Sequence, residues 1–249
     1  MSHREILAYM KKILLPLSVI GLMLLSACSD DNTVFNEPSP IRAYETDAEI
    51  LAQFVDVDNA TGVFFINPDK KITASDYVVN RNREDLMMVN SINRDKFTRD
   101  MEAVNGVLRA VKQSGISTAI IYSTYSSDKL IEGSVNGTFE IERLTSQTRG
   151  GNTLAQMVVT SERSDARQFY APQYMTMNLS ASSASKFYLY QISLGDTTNP
   201  DAGILIVAGL NTPQPCHSYT ITNNGNSDWL SAKGMNLVGD GTLSVSFSQ

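Results

Sequence analysis

The chain has 249 residues, 20 Lys+Arg against 26 Asp+Glu for a formal net charge of −6, and 42% hydrophobic residues, which is the composition of a globular protein with a substantial core. The acidic balance argues against nucleic acid or anionic lipid headgroups as electrostatic partners. With only two Cys and two His, three-histidine zinc sites and paired CxxC motifs are excluded, and no cofactor or metal is expected.

In chain order, Lys11 and Lys12 precede the apolar run Ile13 to Leu25, and small residues follow at Ser26 and Ala27. Positive residues, an apolar run and a small-residue cleavage site form a secretory signal. The run is shorter than the roughly 18 to 20 residues that cross a bilayer, which disfavours a permanent transmembrane helix. Leu25-Ser26-Ala27-Cys28 resembles the lipobox of bacterial lipoproteins. That resemblance implies Met10 as initiator, removal of residues 1–27, and lipidation of Cys28 as the new N-terminus. Ser29-Asp30-Asp31-Asn32 resembles the acidic export signal of Bacteroidota lipoproteins, which implies an outer-membrane protein facing the cell exterior. Residues 28–44, with Pro38 and Pro40, read as a flexible tether, and 45–249 as one domain. Cleavage removes three Lys+Arg and one Asp+Glu and leaves 17 against 25, a net charge of −8. The lipid on Cys28, not electrostatics, would then hold the protein to the membrane.

The mature chain keeps Cys216 as its one unlipidated thiol and His217 as its one imidazole, so no intrachain disulfide can form. Any Ser-His-Asp or Cys-His mechanism would have to run through His217. As neighbours in an extended segment, Cys216 and His217 point to opposite faces and do not form a dyad by themselves. Ser126 to Lys129 and Ser183 to Lys186 match Ser-x-x-Lys but lack the accompanying Ser-Asp-Asn and Lys-Thr-Gly elements, and read as chance matches.

Thr46-Asp47-Ala48-Glu49 has the spacing of a capping box, and Ile50, Leu51, Phe54 and Val55 fall on one face of a short helix ending near Asp56. Asp56 to Gly62 is similar to a calcium loop. Its glycine sits one place late, however, Ala60 stands where a ligand is needed and no glutamate closes it, so a polar turn is expected. Gly62 to Ile66 reads as a strand. Phe97, Met101, Val104, Leu108 and Val111 define a second helix that ends beyond Lys112.

From Ser117 the pattern turns to strands: Ser117 to Tyr125, then Val135-Asn136-Gly137-Thr138 as a two-residue hairpin leading into Phe139 to Glu142. Further strands are expected at Leu154 to Ser161, Tyr174 to Leu179, Phe187 to Leu194, Gly203 to Leu210, Ser218 to Thr222 and Thr242 to Phe247. The unbroken apolar run at Gly203 to Leu210 calls for cover on both faces. The fold class is α+β: mainly an antiparallel sheet or sandwich, with two helices in the N-terminal third.

Two functions compete. The first is a noncatalytic, membrane-anchored binding or envelope-complex module for a glycan or protein. Its nominated residues are Trp229 with Asn224, Asn226 and Asp228, since an aromatic face among amides and a carboxylate suits a sugar ring and its hydroxyls. General burial statistics favour the other placement of Trp229, turned inward as a core plug. The alternative function is a carboxylate-dependent hydrolase such as a glycosidase, with Glu140 and Glu142 two apart on one strand face. Asp196-Thr197-Thr198 is similar to the Asp-Thr-x acceptor of Bacteroidota O-glycosylation, which implies a glycan on Thr197.

Overall fold

The structure is a computed structural model, described over residues 42–71, 81–114, 118–125, 128–130, 134–135, 139–144, 151–183, 186–196, 203–210, 216–224 and 229–249; the side chains of 128–130, 134–135, 216 and 217 are outside the description. The elements in order are α1 (Tyr44–Gln53), β1 (Val55–Val57), β2 (Phe64–Ile66), α2 (Arg83–Met87), α3 (Ser91–Gln113), β3 (Thr118–Ser123), β4 (Asp128–Leu130), β5 (Ser134–Val135), β6 (Phe139–Arg143), β7 (Thr153–Thr160), β8 (Asp165–Tyr170), β9 (Tyr174–Ser182), β10 (Phe187–Asp196), β11 (Gly203–Leu210), β12 (Cys216–Asn223), β13 (Trp229–Val238) and β14 (Thr242–Ser248).

The α+β expectation holds. Two six-stranded sheets, ordered β4-β3-β11-β10-β13-β8 and β5-β6-β12-β9-β14-β7, face each other, and β1 pairs with β2 in a small hairpin. All pairings are antiparallel except β11 with β3. One core fills the space between the sheets, with Met157, Met177, Tyr190, Tyr219 and Phe247 among its members. A second core lies between the first sheet and the helices, with Phe54, Phe97, Leu108, Tyr122 and Phe187. The middle of the first sheet is therefore buried on both faces, which is why β10 and β11 are largely apolar and lack alternation. The second sheet has a wet outer face: in β9, Met175, Met177, Leu179 and Ala181 turn inward between more exposed neighbours.

The helical layer departs from expectation in detail. α1 starts at Tyr44 behind Ala43, and no side chain caps it. The capping-box reading fails because Thr46, its expected cap, is already the third residue of the helix and Glu49 meets Tyr125 and Lys186 instead; Asp47 turns inward, its Oδ2 accepting from Asn90 N at 3.0 Å and from Asn93 Nδ2 at 2.8 Å. A third, short helix, α2, is closed by a capping box between Asn82 and Asp85. α3 begins six residues before Phe97, with Asn90 Oδ1 accepting from Ile92 N at 2.9 Å. Phe97, Met101, Val104 and Leu108 are buried as the spacing predicted, and Phe97 packs 5.0 Å from Phe187 between ring centroids.

The Asp56 to Gly62 segment is the polar turn expected. Asp58 Oδ1 accepts from Ala60 N at 2.8 Å, and Gly62 takes a φ of 65° that a side chain would strain. Helix α1 ends sooner than the sequence suggested, because the chain turns at Phe54 into β1, an unexpected strand that pairs Val57 with Phe64; β2 ends at Ile66 as expected but begins two residues later, at Phe64. The hairpin reading at Val135 also changes: Val135 lies opposite Phe139, so three residues and not two join β5 to β6. Strands β8 and β13, neither of them expected, pair with each other along Trp229↔Tyr170 to Gly234↔Asp165.

Candidate functional site

β8 belongs to one sheet and β9 to the other, so Ala171 to Gln173 carry the chain across the end of the sandwich. β12 finishes at the same end, where Asn223 N donates to Gln173 O at 2.7 Å, and β13 starts there opposite the end of β8. Three aromatic residues gather there: Tyr170 as the last residue of β8, Tyr174 as the first of β9 and Trp229 as the first of β13.

Trp229 does not plug the core. It is 52% exposed, and Tyr170 and Tyr174 are also exposed. Tyr170 stands directly across the β8–β13 ladder from Trp229, with ring centroids 6.4 Å apart and planes at 88°, an edge-to-face pair. The inward placement fails because Trp229 opens a strand. Leu230 and Ala232 are fully or nearly fully buried further along β13, and the end position is left at the rim.

Of the amide and carboxylate residues nominated with it, Asn224 is exposed immediately after β12, while Asn226 and Asp228 lie outside the described residues. Cys28 and Thr197 also lie outside them, Thr197 one position beyond the end of β10. Glu140 and Glu142 are exposed on β6, opposite Thr222 and Thr220. They occupy an open strand face and, among the described residues, do not line a cleft in which a substrate could be enclosed. Cys216 and His217 are the first two residues of β12, the extended placement on which their exclusion as a dyad rests. Ser183 and Lys186 serve the fold: the Ser183 hydroxyl lies 3.3 Å from both Phe187 O and Asp240 Oδ1, and Lys186 Nζ pairs with Glu49. Among the described residues, no group of three or more His, Cys, Asp or Glu side chains could hold a metal ion.

The outer face of the second sheet holds a feature the sequence reading missed. A groove of about 470 Å³ crosses four strands there, lined on its open side by Gln156, Val158, Asn178, Ser180, Ser218, Ser244 and Ser246. Gln156, Ser246, Asn178 and Ser218 form one row across the ladder. Ser218 Oγ donates to Asn178 Oδ1 at 2.6 Å, and Asn178 Nδ2 reaches Ser246 Oγ at 3.5 Å. None of the outward positions on β7, β14, β9 or the described part of β12 is charged, whereas surfaces of soluble proteins are commonly about 25 to 35% charged. By alternation Tyr174 belongs to this same face, whereas Trp229 and Tyr170, out of phase with the inward Leu230 and Phe169, point to the outer side of the first sheet. The available signal was the alternation of serines with apolar residues in β14 and β9, which reads first as an ordinary wet strand face.

No family model matches the chain, and no curated protein matches it.

Proposed function

We propose that the protein is a noncatalytic binding module, held to the outer membrane by lipid on Cys28 and facing the cell exterior, that recognises a neutral glycan at the Trp229–Tyr170 end of the sandwich. The observation that carries this reading is the exposed, edge-to-face Trp229–Tyr170 pair fixed across two strands. A rigid aromatic face offers a sugar ring a stacking surface at little entropic cost, and the exposed Asn224, five positions before Trp229, carries an amide of the kind that hydrogen-bonds sugar hydroxyls. With a net charge of −8 expected for the mature chain, an uncharged, hydroxyl-rich ligand is favoured over an acidic one. No geometric feature favours the hydrolase alternative, since its carboxylates stand on an open face.

Affinity electrophoresis through gels containing soluble neutral polysaccharides (glucomannan, xylan, dextran) or acidic ones (alginate, polygalacturonate) tests the proposal. At least one neutral polymer should retard the protein. Trp229→Ala should remove the retardation, and Trp229→Phe, which keeps a stacking face, should retain most of it. Absence of retardation by every neutral polymer, or equal retardation of wild type and Trp229→Ala, would refute glycan recognition at this pair.

A further inference from the structure

The corner between α2 and α3 exposes three large apolar side chains within six residues: Met87 is 77% exposed, Met88 58% and Ile92 66%. Their neighbours show that this corner is held rigidly. Leu86 and Val89 are buried beneath it, Arg94 Nη2 donates to Leu86 O at 2.6 Å, and Asn90 N donates to the buried Asp47 at 3.0 Å. A fixed turn whose tip is Met-Met and Ile in water is an apolar knob, not a frayed end.

The chain outside the described body arrives at this corner. Arg42 is the first described residue, and its carbonyl accepts from Asn93 Nδ2 at 3.0 Å, one position beyond Ile92. Thirteen residues separate Arg42 from Cys28, a reach of at most about 50 Å. Along the chain, this corner is the part of the body nearest the proposed lipid anchor.

We propose that Met87, Met88 and Ile92 form a membrane-contacting wedge that seats in the interfacial layer of the bilayer and orients the sandwich on it. The inference rests on the lipid-anchored reading. The occupant is a lipid surface because three aliphatic side chains fall far short of the roughly 800 Å² per partner of a standard protein interface. The lipid on Cys28 ties the protein to the bilayer through a flexible tether and leaves the body's orientation open, which an apolar contact gaining about 0.8 kcal/mol per buried CH₂ would set. With a mature net charge of −8, the contact is apolar and insensitive to salt.

The mature polypeptide without its lipid, residues 29–249, isolates the wedge from the anchor in vesicle flotation. Phosphatidylcholine vesicles at millimolar lipid should carry a measurable fraction of it upward, equally at 0.1 and 1 M NaCl. Met87→Ser/Met88→Ser/Ile92→Ser should lower the partition coefficient at least fivefold with an unchanged thermal midpoint. No flotation of wild type, equal flotation of the triple variant, or loss of flotation in high salt would overturn the wedge. Failure of the anchor reading is seen separately, as an unmodified N-terminal mass in protein from native membranes.

Discussion

Asn105 provides the sharpest test of how the helical layer is joined to the rest. It is fully buried on α3, with Oδ1 accepting from Phe64 N at 2.8 Å and Nδ2 donating to Phe64 O at 2.9 Å. The side-chain amide thus supplies to β2 the two hydrogen bonds that another strand would provide. Asn105→Leu keeps a comparable volume but leaves both Phe64 groups buried without partners. At about 1 to 3 kcal/mol for each of the two orphaned groups, the loss should be about 2 to 6 kcal/mol. For a chain of this size that lowers the thermal midpoint by roughly 4 to 24 °C. Urea denaturation of wild type, Asn105→Leu and Asn105→Ala measures it. A loss below about 1 kcal/mol in Asn105→Leu would refute the reasoning, because it would mean that water or a local shift satisfies Phe64 at little cost.

Lys70 gives a pH dependence with a defined sign. Burial pulls its ammonium down to about 8, against the opposing pull of Asp56, while its amine donates to Val55 O. The unfolded chain therefore holds more protons than the folded one between about pH 8 and 10, and this group's contribution to stability rises with pH across that window. Burial raises the Tyr44 and Tyr125 hydroxyls and pushes Tyr190 up to about 12, so these tyrosines lower stability above pH 10. The thermal midpoint of wild type relative to Lys70→Met should improve from pH 7 to 9.5; a constant difference would remove the assignment. For the membrane anchor, mass spectrometry of protein from native membranes should find an N-terminal, lipid-modified Cys28 and a glycan on the peptide containing Thr197. Intact residues 1–27 would contradict the first, and an unmodified Thr197 peptide the second.

The sequence was most legible where one physical demand acted alone. α3 shows its buried stripe because one face meets a sheet and the other meets water, and β11 shows an unbroken apolar run because both faces are covered. β8 and β13 were not legible for a common reason. β8 exposes four of its six residues, so its sequence carries no alternation. Apart from Leu230, β13 fills its buried positions with Ser231, Ala232 and Gly234, which lack a strand's apolar signature. The space available explains the choice at one of them, since a Cβ at Gly234 would lie 2.4 Å from Val159 Cγ2 on the facing sheet. Asp165 adds a second reason. It is buried at the head of β8, and its Oδ2 accepts from Val158 N on the outer edge of β7 at 3.1 Å, a role no local pattern records.

The candidate site inherits that blind spot. Trp229 and Tyr170 belong to the two strands that pattern reading omitted, so each looked isolated in a polar stretch, and a lone tryptophan is assigned to the core by default. Their pairing follows only from the β8–β13 register, which places residues 59 positions apart directly opposite each other at the sheet's end. Once that register exists, exposure follows as well, because the end of the ladder has strand beneath it and no layer above. The same logic applies to the groove. Serine, asparagine and glutamine at alternating positions mean only a wet face within one strand, but four strands in register turn them into a row of hydroxyls and amides without a charge. Recognition chemistry in this fold is thus a property of strand order, and substitutions that preserve each strand's pattern while shifting its register should preserve the fold class and lose the binding surface.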